Sequence, residues 1–349
     1  MTGDLTERLA QAFDFQAHAC EDLGSPFMGR LCRLLPGLLP APLLERVAGM
    51  EGDLGPRGQS VPLRLCGALH ALRLQGRAGL AKVYPPEAAD DPTLAAALSH
   101  ALEAEAEFIH GFIHSPPQTN EVRRSCALLP AAAWLSARRA LPLTLSELGA
   151  SAGLNLHFGE FALETPAGRI GAPDPALVLT PEWRGEAPIV SPIEVAGGAG
   201  ADLSPIDPVE DRLRLLSYLW PDQPERLELT EAALTLPPAR VDKADAADWI
   251  EARLAEPRPG HWHLIYHTIA WQYFPAPVQE RAEAAIRGAG ARATAEAPLA
   301  WLAMEQDGGR PGAGLRLRLW DGGAEEDHLL ARVDFHGRWI DWQGALPAE

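Results

Sequence analysis

The chain has 349 residues, 47% of them hydrophobic, which is enough to bury a substantial core in one large or two ordinary domains. Its formal charge is −17, and the excess lies in the second part: residues 1–140 hold 13 Lys and Arg against 15 Asp and Glu, the rest 17 against 32. So acidic a surface is a poor partner for phosphate backbones and anionic lipid, so nucleic acid and membrane are not expected as ligands.

No run of about eighteen apolar residues appears, and the first residues (MTGDLTERLAQAFDF) are acidic where a secretory segment would need a basic end, so a cytoplasmic protein is expected. Cys20, Cys32, Cys66 and Cys126 are widely spaced with no C-x-x-C pair, and read as buried apolar side chains rather than as a disulfide or zinc framework.

Residues 1–140 read as an all-α region. Leucines recur at helical spacing in Leu31–Leu38, Leu65–Leu72 and Leu94–Leu102, and Pro36, Pro40, Pro62, Pro85, Pro86, Pro92, Pro116 and Pro117 punctuate them. A further helix is predicted from about Glu121 to Arg139, with Thr119 or Asn120 as its cap. Glu103, Glu107, His110 and His114 fall at helical spacing, but no second helix carries matching ligands, so a solvated face is expected and no metal site.

From Leu141 short apolar runs alternate with helical stretches. Strands are predicted at "LPLTLSELG", 195–207, 239–249, 261–271, "PLAWLAMEQ", "GLRLRLW" and "HLLARVDF", and helices at Arg212–Trp220, Glu225–Leu234 and Val278–Ala289. The pattern implies an α/β domain over 141–349, with a mostly parallel sheet, helices on both faces and a closing antiparallel pair. Residues 157–198, rich in Pro and Gly, read as an inserted hairpin or loop.

"SELGASAGLNL" (146–156) has two readings. As G-x-S-x-G it is a nucleophile elbow with Ser151 attacking, and Asp307 and His336 following in the chain order of a hydrolase. That fold places strands before its elbow, whereas here the preceding region is helical. As an acid followed by a glycine turn, Glu147, Gly149, Ser151, Gly153 and the adjoining Asn155 bring a nucleotide-like cofactor close to the backbone. The second reading predicts polar groups at the ends of later strands. Asp202 is placed to accept from a ribose diol, Asp245 from an adenine amino group beside the Ala246 N–H, and His267 faces the transferred group. Gln118, Asn120 and Glu121 are candidate lid or substrate contacts or a plain helix start. Trp220, Gln223, Trp271, Gln272 and Tyr273 are candidate pocket residues or core, and Arg338 is a candidate carboxylate binder.

The order E-x-G-x-S-x-G, G-x-D-L-S-P, D-A-A-D-W and a fourth strand resembles a class I S-adenosylmethionine-dependent methyltransferase over about 141–342. More narrowly, "QTNEV", "ELGASAGLNL", "DLSPIDP", "WPDQPERL", "HTIAWQY" and "HGRW" resemble a bacterial domain-of-unknown-function family along nearly the whole chain. The resemblance to the methyltransferases implies a Rossmann-like fold, S-adenosylmethionine as cofactor and a small-molecule substrate. It implies that His267 or Tyr273 serves the acceptor, with Trp271 and Gln272 beside them. Two departures stand out: Ser151 replaces the middle glycine, and Asp202 follows Gly153 at more than twice the usual distance of about 20 residues, leaving Glu160 or Glu164 as other ribose candidates. A methyltransferase-like module without catalysis is the alternative, and the serine hydrolase the third reading.

Overall fold

The computed structural model describes residues 2–56 and 58–344. In chain order the helices are α1 (Thr2–Asp22), α2 (Pro26–Leu34), α3 (Ala41–Ala48), α4 (Val61–Leu74), α5 (Asp91–Ala104), α6 (Ala106–Phe112), α7 (Ser125–Arg138), α8 (Arg212–Ser217), α9 (Pro224–Ala233), α10 (Ala246–Arg253) and α11 (Ala276–Gly290). The strands are β1 (Leu143–Leu148), β2 (Phe161–Thr165), β3 (Gly168–Gly171), β4 (Leu177–Leu179), β5 (Glu182–Gly185) and β6 (Val195–Asp202). They continue with β7 (Val241–Lys243), β8 (Trp262–Thr268), β9 (Leu299–Glu305), β10 (Ala313–Trp320), β11 (Glu326–Val333) and β12 (Trp339–Trp342). No helix among the described residues is long and apolar enough to cross a membrane.

The chain forms two compact units. One is the chain up to Thr119 with Val209–Glu228; the other is Asn120–Pro208 with Leu229 to the C-terminus. α7, which the sequence groups with the N-terminal helices, therefore belongs to the sheet-containing unit, and residues 209–228 return to the helical one.

In the helical unit the prolines mark helix starts as often as stops. Pro26, Pro42, Pro62 and Pro92 sit in first turns, where the missing N–H costs nothing. Ser25 and Asp90 cap α2 and α5 by accepting from the Met28 and Thr93 N–H groups. α4 is buried nearly all round, and Leu65, Leu69 and Leu72 pack in one core with Tyr218 and Trp220. Gly67 is required there, since a Cβ would lie 2.6 Å from the Tyr218 ring. His70 on α4 bonds the Ser217 carbonyl at 3.1 Å, and burial pulls it down to about 4, so it is neutral. Cys20, Cys32, Cys66 and Cys126 are free and buried. The chain breaks at Glu105 between α5 and α6, so Glu103 does not share a helix face with Glu107 and His110; among the described residues no metal-holding cluster occurs.

The other unit is built on a nine-stranded sheet in the order β5-β12-β11-β10-β9-β8-β1-β6-β7. β7, β6, β1, β8 and β9 run parallel, whereas β10, β11 and β12 form an antiparallel meander. β5 then pairs parallel with β12. Ile250 of α10 and Ile286 of α11 pack with Ile265 and Trp301 on one face. Tyr266, one residue on from Ile265, points to the opposite face and meets Phe158 of the 3₁₀ segment Leu154–Glu160, against which α7 packs.

Residues 157–198 are more ordered than the inserted hairpin or loop read from their composition. β2, β3 and β4 make a separate three-stranded sheet, and β5 completes the edge of the large one. β2 and β3 are a local hairpin that β4 joins, whereas the partner of β5 is β12, far off in sequence, which a local reading does not see.

Candidate functional site

Polar side chains gather at the carboxyl ends of the parallel strands, around the turn that follows β1. The chain leaves β1 at Leu148, and the Gly149 and Ala150 N–H groups both donate to the Ala201 carbonyl on β6, at 2.9 and 3.1 Å. Gly149, Ser151 and Gly153 alternate at φ +73°, +52° and +74°, left-handed values that glycine adopts without steric cost. Space demands the glycines as well: a Cβ on Gly149 would lie 2.6 Å from the Ala270 Cβ, and one on Gly200 2.4 Å from the Ala150 Cβ. Ser151 is the exception, an L residue in the left-handed region whose buried hydroxyl has no hydrogen-bond partner.

Glu147 lies beneath this turn, 2% exposed. Burial pushes its carboxyl up to about 8, with the Asp202 charge adding to the rise and the Tyr266 hydrogen bond and Arg124 opposing it. The Tyr266 hydroxyl reaches both Glu147 Oε2 at 3.3 Å and the Asn155 carbonyl at 3.2 Å. Asn155 is fixed on both sides: its Oδ1 accepts from Ser125 Oγ at 2.8 Å and its Nδ2 donates to the Glu121 carbonyl at 3.3 Å.

Asn120 does not cap a helix. Its Oδ1 accepts from the Leu154 N–H at 2.8 Å, tying the chain ahead of α7 to the far end of the glycine turn. Glu121 instead caps the short 3₁₀ turn Val122–Arg124 by accepting from the Arg123 N–H. Arg124 donates to the Thr268 carbonyl at the end of β8 and to the Phe335 carbonyl beyond β11. Gln118, in the helical unit, is half-buried.

Asp202 ends β6. Its Oδ2 accepts from the Ser151 N–H and its Oδ1 from the Ser204 N–H, each at 2.9 Å, so one carboxylate shapes both loops. Asp245 caps α10, accepting from the Ala247 and Asp248 N–H groups, with Ala246 buried behind it.

His267 ends β8 and is 2% exposed. Its Nδ1–H donates to Glu305 Oε1 at 2.7 Å while its Nε2 accepts the Trp301 indole N–H at 3.0 Å. A ring with one nitrogen giving its proton to a carboxylate and the other taken by an indole has no position left for a substrate proton. His267 thus joins the end of β8 to Glu305 and Trp301. The same Glu305 oxygen accepts from the Ala270 and Trp271 N–H groups. Burial raises the Glu305 carboxyl, but His267 and those N–H groups outweigh it and hold it below the usual carboxylate range. Trp271 stacks on His267 at 4.7 Å. Ile269, between them, sits at φ +52°, which is a strained backbone for a β-branched residue. Tyr273 and Gln272 are exposed, Tyr273 by 67%.

The other candidates disperse. Asp307 gives both oxygens to Arg332 at 2.7 and 2.8 Å, and with no partner on the Ser151 hydroxyl the hydrolase constellation is not assembled. Arg338 holds Asp334 through its Nη2 at 2.7 Å. Trp220 and Gln223 are buried in the helical unit. Glu160 precedes β2 and Glu164 lies within it, opposite Arg169 of β3, in the inserted segment.

Tyr266, Arg124, Trp301 and Glu305 belong to the cluster and escaped the sequence reading. Tyr266 stands next to His267 on a strand, where alternation gives neighbours opposite faces. Glu305 could have been found by the rule that recovered Asp202, since it is the acid at the end of its own strand.

No curated protein and no solved structure matches the chain. A family profile described as "Uncharacterized protein conserved in bacteria (DUF2332)" matches residues 10–342, and the chain therefore belongs to that bacterial family.

Proposed function

We propose that the sheet-containing unit is a Rossmann-like domain that binds S-adenosylmethionine at the turn 149–153, and that the protein transfers its methyl group to a small molecule. The observation that carries this reading is the strand order. Once the inserted β2–β5 are passed, the chain runs from β1 to β6 and β7 on one side and then to β8 and β9 on the other. In open parallel sheets the crevice at such a reversal, beyond the carboxyl ends of the strands, is where ligands bind. Here the reversal lies between β1 and β8, where Gly149 meets Ala270.

The residues at that crevice suit a charged nucleoside. Glycine at 149 and 153 lets a ligand approach the backbone closely. Glu147 supplies a buried carboxyl, and the Ser151 hydroxyl is a buried polar group without a partner. Asp202 spends one lone pair of each oxygen on the loops and retains capacity for ribose hydroxyls. When bound, the cofactor supplies an electrophilic methyl group on a sulfonium, and what remains for the protein is alignment of the acceptor. His267 and Glu305 hold the loop that carries Trp271, Gln272 and Tyr273, and Tyr273 is the acceptor-side candidate that remains.

Isothermal titration of the full chain with S-adenosylmethionine and S-adenosylhomocysteine tests this, with dissociation constants expected in the micromolar range, about −7 to −8 kcal/mol. Failure of folded protein to bind either would end the proposal. The engagement of both His267 nitrogens favours a second reading, a methyltransferase-like fold retained as a non-catalytic binding module. Absence of cofactor affinity, with Asp202→Ala changing folding stability alone, would support it.

A further inference from the structure

The helical unit contains a feature that the cofactor reading does not use. A pocket of about 590 Å³ is lined by Arg77, Glu105, Glu107, Phe108, Phe112 and Arg214. The two phenyl rings lie 5.8 Å apart, and each carries a guanidinium on its face: Arg77 over Phe108 at 4.9 Å and Arg214 over Phe112 at 4.7 Å.

The two arginines differ in their partners. Arg77 is neutralised by Glu105. Arg214 uses a single nitrogen, Nη2, for the Phe112 and Ser115 carbonyls and the Tyr218 hydroxyl, and has no acidic partner among the described residues. Its Nε and Nη1 make no bond there. Nearby, Arg64 is 6% exposed and gives its donors to the Gln59, Ile113 and His114 carbonyls and the Gln59 side chain, again with no carboxylate. Burial lowers Arg64 below the usual guanidinium range, and the neighbouring Arg214 charge lowers it further. Two adjacent arginines with no bonded carboxylate repel each other, and an anion at Arg214 offsets that repulsion; the exposed Glu107 carboxylate also lines the pocket but bonds neither arginine.

We propose that this pocket is a binding site for a small organic carboxylate with an apolar body. The carboxylate accepts a single charge-assisted hydrogen bond from the Nη1–H of Arg214, since Nη2, which both bidentate faces of a guanidinium share, is already taken by the Phe112 and Ser115 carbonyls. The apolar body lies against Phe108 and Phe112. Pockets of this volume accommodate small metabolites. The site lies wholly within the helical unit.

The probe is 3-phenylpropionate, with its neutral amide as control, titrated into the full chain by calorimetry and by saturation-transfer NMR. The acid is expected to bind with a dissociation constant below about 1 mM, the amide at least ~10-fold more weakly, and Arg214→Gln to weaken the acid by ~10-fold or more. Phe108→Ala, which leaves the Arg214 bonds intact, is expected to weaken it by ~3-fold or more. Should Arg214→Gln fail to fold, the Arg214 Nε–H resonance of the wild type decides, shifting with the acid and not with the amide. No binding to the folded wild type, equal binding of acid and amide, or an unmoved Arg214 signal would each overturn the proposal.

Discussion

Glu147 sets a pH dependence that runs against the usual direction for a carboxylate. Its folded value is about 8 against an ordinary 4.5. The folded state therefore holds more protons than the unfolded one between those values, and stability falls as pH rises through that window. It is fully present below about 4.5 and levels off above about 8. At ~1.4 kcal/mol per unit the loss is about 3–5 kcal/mol. Glu147→Gln keeps an oxygen for the Tyr266 hydroxyl but cannot ionise. Urea unfolding at pH 5, 6.5 and 8 should show wild type losing stability across the series relative to the variant, and parallel curves would show that Glu147 ionises freely in the fold. Glu147, Ser151 and Asp202 were legible in sequence because strand-end acids and glycine turns are local patterns. Tyr266 and Arg124 were not, because their importance depends on which strand lies beside which.

At the scale of elements, Asp245 shows how a residue chosen for a ligand can already have a structural task. It starts α10 by accepting two N–H groups. Asp245→Ala is expected to cost about 1 kcal/mol in denaturant unfolding, with Asp245→Asn recovering most of it. An unchanged midpoint for the alanine variant would mean that the cap contributes nothing. Helices and strands with strong periodicity were readable along the chain, including the five parallel strands that frame the site. What escaped was the break at Glu105, which the 3.6-residue spacing runs straight through, together with β2 to β5 and β12, which extends the expected closing pair. Those strands are three to five residues long and are stabilised by cross-strand neighbours rather than by their own composition.

At the scale of the whole molecule, the chain builds the helical unit in two visits. Tyr218 and Trp220 are buried in the same core as Leu65 and Leu69, and Asp222 accepts from Ser25 and from the Phe27 N–H. A fragment ending at Thr119 lacks all three. Such a fragment is expected to show helical far-ultraviolet dichroism without a cooperative thermal transition, and joining it to 209–228 through a flexible linker should restore one. Cooperative melting of the shorter fragment would show the second visit to be dispensable. Composition placed helices first and the sheet second, but it could not reveal a return of the chain, which is a matter of connectivity.

The closing of the large sheet by β5 also bears on how copies of this protein meet at high concentration. Its outermost strands are β7, three residues long with Asp242 held by Arg240, and β5, four residues long with Glu182 held by Arg184. Short, charged borders are poor templates for strand addition from another molecule. Between them lie β8, β9 and β10, apolar strands of seven or eight residues that would template fibrils if bared. The inserted segment thus ends one side of the sheet in a short, charged strand that covers β12.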